Sequence, residues 1–318
     1  MDDARVIGVD GGGTRTRVVV VSAERGVLGS GEAGSGNARD IGIEAVARHV
    51  AAARDAAYAA AGLSRGVANA AFCGMAGAGA DEIRGPLTRA LSAGGIASVL
   101  EVGTDLDAAL AGCLCGRPGI VLIAGTGSSC LGRDATGRTA RAGGLGSYLD
   151  DGGGATDLGR GALIACVRAH DGRGPETLLT PTVHAHLNTT SPDELARRIG
   201  DTLPRAEVAA LAPLVTAAAG QGDEVAQCIL ADGANELAAC VAAVANRLGL
   251  TEPEVALTGG LGNAPEYRPV IVDAIGRRLP HATTRMPELP AVLGSALRAF
   301  ALLGIEPPAR ERLVGLGS

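Results

Sequence analysis

The chain has 318 residues, a formal net charge of −6, and 47% hydrophobic but only 2% aromatic residues. This length is sufficient for about two domains, whose cores must be built from Ala, Val, Leu and Ile. Because the sequence has no block of like charge, it argues against a nucleic acid or an anionic membrane as partner, and we expect a small-molecule ligand.

The sequence contains no lysine, and all 28 of its basic residues are arginine. A Walker A loop and a protein kinase each need a lysine on the nucleotide phosphates, and a Schiff-base enzyme needs a lysine nucleophile. These three mechanisms are therefore excluded.

The seven cysteines are scattered, the first residues lack the features of a signal peptide, and no run of 18 apolar residues occurs. We therefore expect a cytoplasmic location.

The first predicted elements lie within VIGVDGGGTRTRVVVV, Val6 to Val21. Apolar residues on both sides of the glycines predict a strand, a tight turn and a second strand over Thr16 to Ser22. Because a strand follows the glycines where a helix would be needed, the segment does not fit a dinucleotide-binding fingerprint. The turn alone fits a plain β-hairpin as well as it fits a turn that a ligand approaches closely.

Four strand-like runs end in glycine-rich turns, and alanine-rich helical stretches lie between them. The runs begin at Val6, Asn69, Gly119 and Glu254, and the predicted helices include Ile43 to Ala61, Asp105 to Cys115, Glu207 to Ala219 and Glu224 to Leu248. This alternation predicts an α/β fold with ligands at the strand ends. The first and third runs resemble each other, which indicates a duplicated half-molecule.

Two Gly/Thr turns facing each other across a cleft would offer backbone N–H groups that bind phosphate oxygens without any lysine. The first turn also carries Asp10, which would repel a bare phosphate. A divalent cation such as Mg²⁺, held by this carboxylate, removes the conflict. The pattern therefore predicts a nucleotide–metal site.

Asp105 and Asp107 open a predicted helix in VGTDLDAALAG. A carboxylate at this place is suited to accept the proton of a hydroxyl that attacks a phosphoryl group. The alternative is helix capping, with Thr104 or Asp105 as the N-cap residue and both acids favoured by the helix dipole. We take Asp105 as the candidate base and Asp107 as a dipole or surface acid.

Five motifs follow one another from Val6 to about Phe300: GVDGGGTRTR, GTD before a helix, IAGTGSS, GGLGSYLDDGGG and LTGGLG. In this order they resemble the sugar kinases of the actin/hexokinase/Hsp70 ATPase superfamily, and most of all the N-acetylglucosamine kinase branch, which groups with the benzoyl-CoA reductase ATPase subunits. The resemblance implies two actin/ribonuclease H-like domains facing a central nucleotide cleft. The first would comprise residues 1–115, joined by the C-terminal helix 290–303, and the second residues 116–289.

The resemblance also implies ATP and Mg²⁺ as cofactors and assigns residues to roles. The assigned positions are Asp10 for the metal; Asp105 as catalytic base; Gly12, Gly13, Thr14, Gly125, Thr126, Gly127, Ser128, Gly259, Gly260 and Leu261 for ATP; and Asn37, Asp105, Ser129, Gly144 and Asp151 for the acceptor. The implied reaction transfers the γ-phosphate of ATP to a sugar hydroxyl.

Three departures from the family pattern lie on the acceptor side. Ser129 stands where Asn is frequent, Leu145 where an aromatic residue can stack on a sugar, and Asp150-Asp151-Gly152 where Gly-Asp-Glu is usual. The implied acceptor is therefore an amino sugar, N-acetylglucosamine, or a related hexose or cyclitol.

Two other functional classes remain open. The first is an ATPase that drives a partner reductase through a bridging iron–sulfur cluster, for which Cys130 and Cys166 are the candidate ligands. The second is a sugar-responsive regulator that keeps the fold without catalysis. A homodimer would use an apolar helical face such as Leu237 to Val244, for which burial in the core is the alternative.

Overall fold

A computed structural model describes residues 3–199 and 204–314 of the chain. These residues divide into two compact units. The first unit comprises the described residues of Met1–Arg117 and Pro287–Ser318, and the second comprises those of Pro118–Met286. The predicted domain boundaries, after residues 115 and 289, lie two to three residues from these positions.

The strands fall into two sheets of five. They are β1 Arg5–Gly11, β2 Thr16–Ser22, β3 Gly26–Ala33, β4 Ala68–Met75 and β5 Ala97–Thr104 in the first unit, and β6 Gly119–Ala124, β7 Ser128–Arg133, β8 Thr139–Gly143, β9 Glu254–Thr258 and β10 Thr283–Arg285 in the second.

Helices surround the two sheets. In chain order they are α1 Ala38–Ile41, α2 Ile43–Ala60, α3 Asp81–Ala93, α4 Asp105–Cys113, α5 Ala155–His170, α6 Leu179–Leu187, α7 Pro192–Ile199, α8 Arg205–Ala209, α9 Ala212–Gly220, α10 Glu224–Leu248, α11 Arg268–Arg278, α12 Ala291–Leu303 and α13 Arg310–Val314. The first four and the last two belong to the first unit, and the others belong to the second.

The two sheets have the same strand arrangement. The first has the order β3-β2-β1-β4-β5 and the second the order β8-β7-β6-β9-β10. In each, an antiparallel three-stranded meander is extended by two parallel strands. The prediction of an α/β fold with two related domains is therefore confirmed, and β1 and β6, the strands of the two similar sequence runs, occupy equivalent places.

The first sheet is buried on both faces, which explains the uninterrupted apolar run of β2. Val18 and Val20 lie in one core with residues of α2 and α3, and Val19 and Val21 lie in another with residues of α12. Side chains alternate between the two faces of a strand, so a strand covered on both sides must be apolar at successive positions.

The helix α12 returns to the first unit and lies directly on β1. The Ser295 hydroxyl donates a hydrogen bond of 2.7 Å to the backbone oxygen of Val9. A Cβ at Gly8 would lie 2.4 Å from the backbone oxygen of Val292, so the glycine allows the helix backbone to approach the strand.

The helix α10 is the central helix of the second unit. It is long and apolar enough to cross a membrane by length and composition alone. Its apolar face, which includes Leu237, Val241 and Val244, is fully buried in the core of this unit. The face considered above as a dimer surface is therefore a core face, which explains its composition.

Two predicted helices need correction. The predicted helix over Glu207 to Ala219 is interrupted between α8 and α9. Pro213 lies in the first turn of α9, where its missing N–H is tolerated, but inside a continuous helix its ring would clash with the preceding turn. The helix predicted to run to Cys115 ends at Cys113, and Cys115 adopts a positive φ of 48°.

Candidate functional site

The first glycine turn, residues 11–15, stands open at its tip. The Gly12 N–H donates to the backbone oxygen of Arg15 at 2.9 Å, which closes the turn. A Cβ at Gly13 would have no atom within 4 Å, and Gly13 and Thr14 are exposed. Nothing in the packing of this unit requires Gly13 to be a glycine, so the turn has the open surface that a phosphate-binding turn needs.

Asp10 lies at the end of β1, just before this turn. Burial raises the pKa of Asp10, and the nearby Asp105 raises that pKa further, while Arg17 opposes both effects. The Arg17 Nη1 atom lies 3.8 Å from the Asp10 Oδ2 atom. A largely buried carboxylate beside a second acid is stabilised by positive charge, and its oxygens are the ligands that Mg²⁺ prefers. Asp10 therefore fits a metal.

The hydrogen bonds at the start of α4 show which of its two acids, Asp105 or Asp107, caps the helix. The Thr104 hydroxyl accepts from the Asp107 N–H at 3.2 Å, and the Asp107 carboxylate accepts from the Thr104 N–H at 2.8 Å. This reciprocal pair is a capping box. Asp107 is therefore a half-buried capping residue and not a surface acid, which corrects the prediction. The cap does not use the Asp105 side chain, which accepts from the adjacent Leu106 N–H at 3.0 Å.

Asn37 lies beside the first turn, since a Cβ at the preceding Gly36 would be 2.5 Å from the Gly11 Cα atom. Its side chain caps α1: Asn37 Oδ1 accepts from the Arg39 N–H at 3.1 Å, and Asn37 Nδ2 donates to Asp40 at 2.6 Å. Capping is thus the structural alternative to the predicted role of Asn37 as a sugar ligand.

The second glycine turn, Gly125, Thr126, Gly127 and Ser128, rests on the beginning of α5. The Ala155 N–H donates to the Gly125 oxygen at 2.8 Å, and the Thr156 N–H donates to the Thr126 oxygen at 3.0 Å. The turn is closed by the Gly125 N–H, which donates to the Gly127 oxygen at 2.9 Å. The backbone of this turn is therefore fixed at both ends by its own unit.

Asp151 is packed against this second turn. Its side chain is buried, and its backbone has a left-handed φ of 67°, which is uncommon for a residue other than glycine. One carboxylate oxygen accepts from the Ser128 N–H at 3.4 Å, and the other accepts from Arg205 Nη2 at 2.5 Å. Sequence reasoning missed Arg205, because no periodic pattern links two residues that are 54 positions apart.

The other predicted acceptor residues of the second unit lie close to this turn. The Ser129 hydroxyl donates to the Gly143 oxygen at 3.5 Å, and a Cβ at Gly144 would lie 2.5 Å from that hydroxyl oxygen. At Gly152, a Cβ would meet the Glu236 side chain at 2.9 Å. Glu236 of α10 thus fills the space beside the glycine. Asp150, Asp151, Gly152, Asp157, Arg160 and Glu236 contribute to the lining of a cavity of about 260 Å³.

The turn of Gly259, Gly260 and Leu261 packs on the end of β6. The N–H groups of Leu261 and Gly262 both donate to the Ala124 oxygen at 3.0 Å. Gly259 has a φ of 94°, whereas a Cβ at Gly260 would have no atom within 4 Å. The Leu261 side chain is buried in the core. Any contact of this turn with a nucleotide would therefore come from its backbone.

No group of three or more His, Cys, Asp or Glu side chains within residues 3–199 and 204–314 is arranged to hold a metal ion. Mg²⁺ commonly binds through one or two carboxylates and takes its other ligands from water and substrate phosphates. The acid pair Asp10 and Asp105 of the first unit fits this mode and does not require a complete protein cage.

Comparisons with known proteins place the chain among carbohydrate kinases. It is 33% identical over 265 residues to the N-acetylmuramic acid/N-acetylglucosamine kinase of Clostridium acetobutylicum, covering 82% of this chain and 87% of that protein. It is 31% identical over 182 residues to a glucosamine kinase of Vibrio cholerae, covering 57% of this chain and 61% of that protein.

A solved structure from Chromobacterium violaceum, which carries the provisional name N-acetylglucosamine kinase, matches the fold. The TM-score is 0.76 with 29% sequence identity, over 93% of this chain and 98% of that chain. The sequence also matches the BadF/BadG/BcrA/BcrD ATPase family over residues 7–299. The resemblance drawn from the motifs is confirmed, and the chain belongs to the BadF/BadG/BcrA/BcrD ATPase family.

Proposed function

We propose that this chain is an ATP-dependent carbohydrate kinase that transfers the γ-phosphate of ATP to a hydroxyl of an amino sugar, N-acetylglucosamine, or a related hexose or cyclitol. The observation that carries the proposal is the start of α4. Thr104 and Asp107 supply the helix cap, so Asp105 is not needed for it. Asp105 also lies close enough to Asp10 to raise its pKa.

In the proposed reaction, the oxygen of the acceptor hydroxyl attacks the γ-phosphorus, and ADP leaves. The Asp105 carboxylate accepts the proton of that hydroxyl. A positioned carboxylate in this role contributes roughly 10²- to 10⁴-fold to the rate. Asp10 would hold Mg²⁺, whose charge neutralises the phosphates. Burial raises the pKa of Asp10 in the metal-free chain, and bound Mg²⁺ would favour its ionised carboxylate.

The nucleotide contacts are assigned to the glycine turns of each unit. Gly12, Gly13 and Thr14 are assigned to the phosphates from the first unit, and Gly125 to Ser128 from the second. Open space in front of Gly13, Gly125 and Gly260 supports these assignments, since a Cβ at any of them would have no atom within 4 Å. Backbone N–H groups supply the donors that lysine supplies in other nucleotide-binding turns.

The acceptor contacts are assigned to Asn37, Ser129, Gly144 and Asp151. The relatives differ in acceptor: one is named for N-acetylated sugars and one for glucosamine. Ser129 offers one short hydroxyl where an amide would offer two donors and a longer reach. The acceptor class therefore stays open between free and N-acetylated amino sugars.

None of the seven cysteines, all within the described residues, forms a disulfide, which supports a cytoplasmic location for the enzyme.

The alternative of an ATPase that drives a partner reductase through a bridging iron–sulfur cluster receives little support from the cysteines. Cys130 and Cys166 are buried, and burial raises the pKa of Cys166 to about 11 and that of Cys130 well above its ordinary value. Both side chains are packed in the hydrophobic core of the second unit, whereas a cluster that bridges two subunits needs cysteines near an interface.

The proposal is tested by ADP release from Mg²⁺-ATP in the presence of hexoses, amino sugars, N-acetyl sugars and aminocyclitols, one at a time. We expect release that depends on one class of acceptor. ADP release at the same rate with every acceptor, or with none, would contradict a kinase and favour the partner-driving ATPase. Acceptor binding without ADP release would favour a regulator.

A further inference from the structure

We propose that Arg205 is a positioning residue that holds the second phosphate turn through Asp151 and Thr156. The inference rests on the proposed function, because it assigns this turn to ATP. Arg205 begins α8, a short helix that follows Pro204. Neither the motifs nor the resemblance assigned a role to this residue or to its helix.

The first link runs through Asp151. Arg205 Nη2 lies 2.5 Å from one Asp151 oxygen, and the other oxygen accepts from the Ser128 N–H at 3.4 Å. The Asp151 side chain is only 5% exposed, whereas that of Arg205 is 46% exposed. A carboxylate so deeply buried needs a charged partner to remain in place, and Arg205 is that partner.

The second link runs through Thr156. Arg205 Nε lies 3.4 Å from the Thr156 hydroxyl, and that hydroxyl donates to the Thr126 oxygen at 2.9 Å. The planar guanidinium therefore contacts two residues, each of which bonds directly to the turn. A lysine ammonium lacks this planar fork and is a poorer match for both contacts.

The third observation is the space above Gly127. A Cβ there would lie 2.4 Å from Arg205 Nη2 and 2.6 Å from the Asp151 carboxyl carbon. The ion pair thus covers the turn on the side where any side chain at residue 127 would project. Gly127 is a glycine because this ion pair occupies that space, whereas the space in front of Gly125 is open.

The position of Arg205 is itself fixed by packing. A Cβ at Gly159 of α5 would lie 2.0 Å from the backbone oxygen of Val208 in α8. The two helices therefore touch through their backbones, and α8 cannot shift toward α5. The guanidinium is held over the turn from a separate element of the same unit, so its contribution is to keep the turn in one conformation.

The test compares Arg205→Ala with Arg173→Ala, which removes an exposed Arg–Asp pair of the same unit. We expect Arg205→Ala to lower kcat/KM for ATP by about tenfold or more, and Arg173→Ala to change it by less than about twofold. Arg205→Lys should be intermediate, and added guanidinium should restore part of the activity of Arg205→Ala. Equal behaviour of the two alanine variants would overturn the inference.

A double-mutant cycle with Asp151→Asn tests whether Arg205 acts on the turn through Asp151. If Arg205 acts through Asp151, the double variant will be no worse than the more damaged single variant. Independent, multiplicative losses would contradict the inference. Melting curves identify any variant that fails to fold. If Arg205→Ala does not fold, Arg205→Lys replaces it in the kinetic comparison and in the cycle with Asp151→Asn.

The binding of a non-hydrolysable ATP analogue, measured by calorimetry, separates this inference from the proposed function. Arg205→Ala should bind the analogue about tenfold more weakly than the parent chain does, whether or not any sugar is phosphorylated. If the parent chain binds the analogue but phosphorylates nothing, the proposed function fails alone. If the parent chain phosphorylates a sugar and Arg205→Ala binds the analogue unchanged, the inference about Arg205 fails alone.

Discussion

The two units share one strand order but support their glycine turns differently. In the first unit, the turn after β1 has an open tip and follows a partly buried acid, Asp10. In the second, the turn after β6 rests on α5 and is covered by Asp151 and Arg205. The turn of the first unit thus has a carboxylate beside an open tip, whereas the turn of the second unit has an ion pair packed over it. We assign the chemistry to the first and the positioning of phosphate to the second.

The largest expected effect separates the two acids of α4. Asp105→Asn should lower kcat by about 10²- to 10⁴-fold, because it removes the proposed proton acceptor. Asp107→Asn, the matched control, should keep kcat within a few-fold and lower the free energy of unfolding by about 1 kcal/mol, because it weakens the capping box. Steady-state kinetics and denaturant unfolding of both variants measure these effects. Equal loss of kcat in the two variants would contradict the assignment.

The second-largest expected effect is that of replacing Asp10, the acid just before the open turn of the first unit. Asp10→Asn should lower kcat/KM for Mg²⁺-ATP by about 100-fold, since the proposed metal ligand is lost. The same variant should be more stable than the parent chain at neutral pH without Mg²⁺, because residue 10 is then no longer an ionised carboxylate that folding removes from water. Arg17 keeps Glu32 as a partner at 3.0 Å. Titration with Mg²⁺ should raise the melting temperature of the parent chain only.

The stability gain of Asp10→Asn has a defined pH dependence. The pKa of Asp10 is raised in the folded state, so ionisation costs stability. The gain should appear as the pH rises from the ordinary pKa of an aspartate to the raised one, and it should vanish at lower pH, where the carboxyl is protonated in both states. A gain that grows toward acid pH would contradict the assigned direction.

A pair of alanine substitutions compares the two turns directly. Gly127→Ala should lower the free energy of unfolding by about 1–3 kcal/mol, because its Cβ would clash with the Arg205–Asp151 pair. Gly13→Ala should leave stability within about 0.5 kcal/mol, because its Cβ meets open space. If a phosphate approaches the first turn, Gly13→Ala should still lower kcat/KM for ATP by about tenfold. Unchanged kinetics would leave Gly13 without the assigned role.

The smallest effect concerns the cysteines. In the native protein, an alkylating reagent at neutral pH should modify the exposed Cys228 before Cys130 and Cys166, which are buried. Mass spectrometry of peptides from native and unfolded protein measures the difference. Rapid native labelling of Cys130 or Cys166 would show that these thiols are accessible and would revive the iron–sulfur alternative.

The sequence predicts elements best where local signals define both ends. The helix α10 has the predicted bounds because Asp223 caps its first turn and Gly249, with a left-handed φ of 69°, ends it. The hairpin of β1 and β2 was predicted for the same reason, since its glycines separate two apolar runs. The motifs, in their order along the chain, also indicated the family.

The features that sequence reasoning missed depend on side-chain placement across long separations. Asp105 and Asp107 are equally favoured by the helix dipole, and only the side-chain positions show that Asp107 closes the capping box. The contact of Arg205 with Asp151 joins elements 54 positions apart, and the preceding Pro204 indicates only that a helix can begin there. Such contacts have no local pattern, so no reading of propensity or periodicity identifies them.

The most direct test of the central claim is the stoichiometry of the products. With the parent chain, Mg²⁺-ATP and the acceptor that supports ADP release, we predict one phosphorylated sugar for each ADP formed, measured by ³¹P nuclear magnetic resonance and mass spectrometry. Inorganic phosphate in place of phosphorylated sugar, in equal amount to the ADP, would contradict phosphoryl transfer and identify the chain as an ATPase.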